Sequence, residues 1–203
     1  MSDLTLFRTA SLALAVLFLW YGMDVRRKTD AHDFVAPMWQ AVMRLAAFSL
    51  IGAFIWVALV MPGPGGLDWF GLAFMVSGTS FVVAAKRALG PTHTFTGQYR
   101  EHSRLVMSGV YGITRNPLYF GVFQCEFGAL LCAVYHVPDL LPHGYPYWCA
   151  AFGIALVYAV SFNWMMADRE ACQLERQFGD AYRRYRSRVP FLIPFTLSRS
   201  EVQ

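Results

Sequence analysis

Charge is what this sequence has least of. Only 15% of its 203 residues are charged, against 56% that are hydrophobic. A soluble domain carries roughly 25% charged residues, so the chain lacks the polar surface that would cover a soluble globule. Its four cysteines, Cys125, Cys132, Cys149 and Cys172, make no CxxC pair and no zinc-like spacing. That argues against a disulfide framework and against a bound metal. Cys125, Cys132 and Cys149 fall in or beside apolar segments and are expected to be buried thiols. No internal repeat or low-complexity stretch is present. The net charge of +4 is no nucleic-acid footprint, because basic residues are missing from two of the linkers and gathered in the others.

What the chain does have is long apolar runs and aromatic residues: 17 Phe, 10 Tyr and 6 Trp. Tyr and Trp favour the headgroup level of a bilayer. A membrane-spanning helix needs about 20 apolar residues, and five segments are read as spans: residues 4–23, 38–60, 69–85, 118–137 and 147–166. The third is short, but Asp68 and Lys86 bracket it. The first apolar run is too long for a signal peptide, and Arg26, Arg27 and Lys28 follow it instead of preceding it, so it is read as a retained anchor. Basic residues also fill the linker after the third span (Lys86, Arg87, Arg100, Arg104, Arg115) and the tail (Arg169, Arg176, Arg183, Arg184, Arg186, Arg188, Arg199), while linkers 61–68 and 138–146 hold none. Positive loops stay cytoplasmic. The expectation is an all-α, multi-pass integral membrane protein of about five transmembrane helices, N-terminus outside and C-terminus cytoplasmic. Arg8 and Arg44 lie within spans, close enough to an end to snorkel.

Two regions are too polar to span. One is the connector 87–117, punctuated by Gly90, Pro91, Gly97, Gly109 and Gly112 and read as loop with a short helix. The other is the tail from Asp168, where Leu174, Phe178, Tyr182 and Tyr185 recur at helical spacing. This predicts an amphipathic helix along the cytoplasmic surface. Val189-Pro190 ends it, and residues 191–195 dock back on the membrane face. The chain divides into three N-terminal transmembrane helices, 1–86, and a core of connector, helical hairpin 118–166 and tail, 87–203.

The connector carries His102, Leu105-Val106, Gly109-Val110-Tyr111 and then Arg115-Asn116-Pro117-Leu118-Tyr119-Phe120-Gly121. The tail carries Arg169-Glu170, Leu174, Phe178-Gly179, Tyr182, Tyr185 and Val189-Pro190 through Ile193-Pro194. In order and spacing these elements resemble the isoprenylcysteine carboxyl methyltransferases and phospholipid N-methyltransferases. The pattern is His-x-x-Leu-Val-x-x-Gly-x-Tyr, Arg-His/Asn-Pro-x-Tyr-x-Gly, then, after a hairpin, Glu-Glu and Leu-x-x-x-Phe-Gly-x-x-Tyr-x-x-Tyr. The resemblance covers residues 89–195, and the first three spans carry no such signature. Two positions depart from it. Asn116 stands where a histidine is common, as also suits the phospholipid and bacterial branches, and Ala171 replaces the second glutamate, which leaves the acceptor open to differ from the prenylcysteine type.

The resemblance implies an S-adenosyl-L-methionine pocket between connector and tail at the cytoplasmic face of a bacterial inner membrane. His102, Leu105, Val106, Gly109 and Tyr111 would form one wall. Arg115, Asn116, Pro117, Tyr119 and Gly121 would continue it, and Glu170 would close it. Chemically, Glu170 suits ribose hydroxyls or an amine, and Arg115 suits a carboxylate. Tyr111 and Tyr119 offer ring faces to a sulfonium. Taken singly, each has a plainer reading: Arg115 a positive-inside residue, His102 a solvated loop histidine, the tyrosines interfacial anchors. Glu126 stands apart, eight residues into the fourth span, where a carboxylate marks a functional site by default. It, or Gln124, is expected to hold or deprotonate the acceptor, the alternative being a hydrogen bond to Asn163 or to a serine of span three. Arg115, Tyr119 and Glu126 are thus the expected catalytic residues. The expected reaction is direct displacement at the sulfonium methyl, and the expected partners are a lipophilic or lipid-linked acceptor and the membrane lipids, with no nucleic acid and no metal. A carboxylate acceptor needs no base, whereas an amine or thiol must lose a proton; the connector holds no dedicated base, which favours a carboxylate, while Glu126 could serve an amine. The rival readings are a phospholipid amine or small thiol methyltransferase, a nicotinamide-dependent membrane reductase, and a non-catalytic membrane scaffold.

Overall fold

The computed structural model describes residues 2–22, 32–90, 98–99 and 104–194. Five helices are long and apolar enough to cross a membrane: α1 (Asp3–Gly22), α2 (Pro37–Val60), α3 (Gly66–Leu89), α4 (Pro117–Leu140) and α5 (Tyr145–Phe178). A short helix, α6 (Asp180–Arg186), follows α5. The chain is an all-α integral membrane protein, with a single two-residue antiparallel pairing among the described residues, β1 (His32–Asp33) with β2 (Gln98–Tyr99). The second to fifth expected spans fall within helices, and the first does so up to Gly22, its last residue lying outside the described residues. The third is longer than its apolar run: α3 takes in both Asp68 and Lys86, because Asp68 at its third position accepts the Gly65 N–H at 2.7 Å and so starts the helix early. The basic cluster Arg26, Arg27 and Lys28, with Arg100, Arg199 and Phe195, lies outside the described residues.

Pro37 and Pro117 occupy the first position of α2 and α4, where a missing N–H costs nothing. The bundle therefore has two distinct ends. The α2–α3 and α4–α5 turns share one, the hairpin end. The α3–α4 connector and the C-terminal tail share the other, the connector end.

α3 and α4 are the most extensively packed pair, and glycine is the reason. A Cβ on Gly78 would overlap the Gly121 carbonyl, and one on Gly128 would overlap the Gly71 carbonyl. Gly71 and Gly78, like Gly121 and Gly128, are two helical turns apart, so the two backbones touch along one seam. Beside it, Cys125 faces the Thr79 hydroxyl at 3.5 Å, and Cys132 donates to the Asp68 carbonyl at 3.7 Å. At the hairpin end His136 Nε2 meets both Asp68 oxygens at 3.0 Å. Cys125 and Cys132 are buried as expected, but Cys149 is only half-buried, because it lies on the first turns of α5, which pack against less of the bundle.

A core of Phe7, Phe18, Ile51, Phe54, Met75 and Val82 joins α1, α2 and α3 to α4. Large apolar side chains such as Leu45, Ile154 and Val157 point outward, at 70%, 70% and 66% exposure, which suits a lipid-facing surface and no aqueous one. Arg8 points to the end of a neighbouring helix. It caps the end of α2, donating to the Ala58 and Met61 carbonyls at 3.0 Å each, because the last carbonyls of a helix have no partner within it. Arg44 reaches the Gln40 side chain at 3.5 Å.

The tail also differs from expectation. No breaker interrupts residues 167–178, so the amphipathic stretch continues α5 straight out of its apolar part. At 34 residues and about 1.5 Å per residue, α5 is far longer than the roughly 30 Å hydrocarbon core. It ends at Gly179, whose φ of +50° is a conformation that only glycine adopts cheaply, and α6 turns back from there.

Candidate functional site

The connector and the tail are tied together by their backbones. The Arg115 N–H donates to the Pro190 carbonyl at 2.9 Å. Asn116 Nδ2 and the Thr114 hydroxyl both donate to the Phe191 carbonyl, at 2.8 and 3.3 Å. The Tyr185 hydroxyl donates to the Tyr111 carbonyl at 2.7 Å. Tyr111 itself sits in a 3-10 turn, Gly109–Gly112. Leu105 of the connector and Ala171, Leu174 and Phe178 of the tail all pack against a buried cluster of Tyr182, Tyr185 and Val189, so the helical periodicity of the tail does build one apolar face, and the connector meets it. Phe191 returns to the bundle as expected, 5.0 Å from the Trp164 ring and with the Arg115 guanidinium 5.4 Å above it.

Against this surface α4 and α5 bring their charged groups. The Tyr119 hydroxyl, two residues into α4, donates to Glu170 Oε1 at 2.5 Å. Glu170 lies beyond Met166, past the apolar part of α5. Burial pushes its carboxyl up to about 7, with the Tyr119 hydrogen bond pulling the other way. Burial likewise raises the Tyr111 hydroxyl far above its usual range, and the Glu170 charge adds to that, so Tyr111 and Glu170 share one electrostatic environment. Arg115 stands by Tyr182, whose hydroxyl is raised by burial and partly restored by the Arg115 charge. The Arg115 Nε is buried with no hydrogen-bond partner among the described residues. Tyr111, Arg115, Tyr119 and Glu170, four of the expected site residues, therefore converge at the connector end.

Other expected residues go elsewhere. The Asn116 amide is engaged with the tail. Gly121 lies in the α3–α4 seam against Gly78. Val106 is half-buried and Pro117 buried, and His102 lies outside the described residues. Thr114 is a tail tie that motif reading passes over, its only signal being a hydroxyl next to the Arg115-Asn116-Pro117 corner. Glu126 is fully buried, and neither of its oxygens has a hydrogen-bond partner among the described residues, nor has Asn163 Nδ2. The hydrogen bond to Asn163 that stood as the alternative to a functional Glu126 is therefore not made. Gln124 is two residues away, about 200° round a helix of 3.6 residues per turn, and does not share the Glu126 face.

These features define an integral membrane protein with a group of hydroxyl and charged side chains, Tyr111, Arg115, Tyr119 and Glu170, at one end of a five-helix bundle, between a connector and a returning tail. Residues 67–137 match the family model described as phospholipid methyltransferase, within the isoprenylcysteine/phospholipid methyltransferase superfamily. The matched segment runs through α3, the connector and α4, so it takes in the third span, which carries no signature legible as a motif. No match is found among curated proteins.

Proposed function

We propose that the chain is an integral membrane, S-adenosylmethionine-dependent methyltransferase of a lipophilic acceptor, working at a cytoplasmic connector end. The observation that carries this reading is the Tyr119–Glu170 pair beside Arg115 and Tyr111, with Tyr111, Arg115 and Tyr119 inside the segment that matches the methyltransferase family. The cytoplasmic assignment rests on the basic residues that cluster at this end, and a bacterial inner membrane suits it.

The residues present fit the cofactor. Glu170 offers a carboxylate to an ammonium or to ribose hydroxyls, and the unpartnered Arg115 Nε offers a donor to a carboxylate. Tyr111 and Tyr119 bring ring faces to the same place, where a cation is attracted. When bound, the cofactor supplies a methyl already activated by the sulfonium. What the protein adds is alignment and the exclusion of water. The Tyr119 hydroxyl fixes the Glu170 carboxylate, and the tail, held by Thr114 and Asn116 on the Phe191 carbonyl, closes over the connector. An acceptor with an aliphatic tail reaches the site sideways from the bilayer.

Calorimetric titration of the detergent-purified protein with S-adenosylmethionine and S-adenosylhomocysteine tests this. Micromolar binding is expected, weakened by Glu170→Ala at least tenfold, since a hydrogen bond to a charged group contributes about 1.5–3 kcal/mol. No binding to the intact protein would refute the cofactor assignment, and binding of NADPH in its place would make the protein a reductase.

A further inference from the structure

Tyr119 and Glu170 touch across α4 and α5, and this contact sets the register of two antiparallel helices. Seven residues along each, α4 reaches Glu126 and α5 reaches Asn163. Seven residues are nearly two full turns, so Glu126 keeps the face of Tyr119 and Asn163 keeps the face of Glu170. Both lie about 10 Å deeper in the bundle at 1.5 Å per residue. Glu126 is 0% exposed and Asn163 2%. The two Glu126 oxygens and Asn163 Nδ2 have no hydrogen-bond partner among the described residues. Ordinary packing does not account for two such groups at one level of an apolar bundle, because an unpaired buried polar group costs the full loss of its hydration. Their neighbours on the same faces, Tyr119, Phe162 and Met166, form a largely apolar cluster with α2. Side chains on a helix lean toward its N-terminus, so Glu126 leans from this depth toward the connector end.

We infer that Glu126 and Asn163 form a second polar subsite, inside the membrane-spanning part, that receives the hydroxyl or amino head of an aliphatic acceptor. The chemistry follows from what is unmatched: two acceptor oxygens and one amide donor. A hydroxyl donates to Glu126 and accepts from Asn163, whereas an ammonium only donates and pairs with Glu126 through its charge. A carboxylate head brings only acceptors, and it brings a charge into an apolar bundle, where Glu126 gives it no counter-charge, which is costly. The subsite rests on the methyltransferase reading only for its purpose and not for its existence, and it turns the acceptor away from the carboxylate that the missing second glutamate leaves open.

The test is mass spectrometry of the intact full-length protein released from detergent, with dodecylamine, dodecanol and dodecanoate as probes, beside cofactor calorimetry and thermal unfolding. One dodecylamine or dodecanol per chain is expected, with dodecanoate at least tenfold weaker. Glu126→Leu should weaken both probes, and Asn163→Leu should weaken dodecanol, at least tenfold. Both variants should also raise the unfolding temperature, the mark of a binding group kept at the expense of stability. Glu126→Gln separates the two heads: a charge-dependent amine is lost, while a hydroxyl is retained. Equal binding of dodecanoate, undiminished binding in both leucine variants, or their destabilisation with probe binding intact would overturn the subsite. Selective probe binding without cofactor binding would uphold the subsite and refute the methyltransferase reading. Cofactor binding with unselective probes would do the reverse.

Discussion

The Glu170 carboxyl, half-buried behind the Tyr119 hydroxyl, is held neutral to higher pH than a solvated carboxylate because burial disfavours its charge. Its value of about 7 places the change of charge near neutrality. If the ionised form receives a cationic part of the cofactor, affinity is full above pH 8. It then falls as pH drops through 7, approaching tenfold per unit below. Glu170→Gln should bind weakly with no such slope between pH 6 and 8, and Tyr119→Phe, which removes the donor that favours the charged form, should move the midpoint upward. Calorimetry across that range checks both, and a wild-type profile as flat as that of Glu170→Gln would separate Glu170 from the cofactor. This residue was legible as a motif position, but its titration was not, because burial depends on where α4 and the tail meet α5.

Between elements, the α3–α4 seam sets the position of everything downstream, since α4 carries Tyr119 and Glu126 on the side opposite its glycines. Gly78→Val has no room against the Gly121 carbonyl and the Cys125 backbone. Overpacking of this kind costs about 1–3 kcal/mol, and here it should lower the thermal unfolding temperature and cofactor affinity together. Gly153→Val, on α5 with open space around it, should leave both unchanged. At the hairpin end, His136→Leu leaves the buried Asp68 with less than its full set of donors, a loss of about 1–3 kcal/mol. It should destabilise the protein without changing cofactor affinity, because Asp68 and His136 lie at the far end of the bundle from Glu170. A variant as stable as the parent would show that the pair is no clamp. The five apolar spans were plain in composition and length, and the tail face in its 3.6-residue period. The seam was not, since a glycine in an apolar run reads the same whether it meets lipid or another backbone. Nor was the continuation of α5 through Asp168 and Arg169, because a rise in polarity marks where a helix leaves the bilayer and not where it ends.

At the scale of the whole molecule, what matters is on which side of the membrane the connector end lies. The proposed cofactor, made in the cytosol, would require it inside, in line with the positive charge gathered there, whereas the proposed aliphatic acceptor would arrive from the bilayer whatever the orientation. The cysteines allow a direct measurement without engineered labels. Cys172 is exposed near the connector end of α5, Cys149 is half-buried near its hairpin end, and Cys125 and Cys132 are buried against α3. A membrane-impermeant maleimide should therefore react with Cys172 in inverted membrane vesicles and leave it untouched in intact spheroplasts. Cys172→Ser should abolish the vesicle signal and identify its source. Labelling of Cys172 from the outer side would invert the bundle and put Glu170 out of reach of cytosolic cofactor. The buried pair gives the internal control, since Cys125 and Cys132 should stay unmodified from both sides until the protein is denatured, and then react.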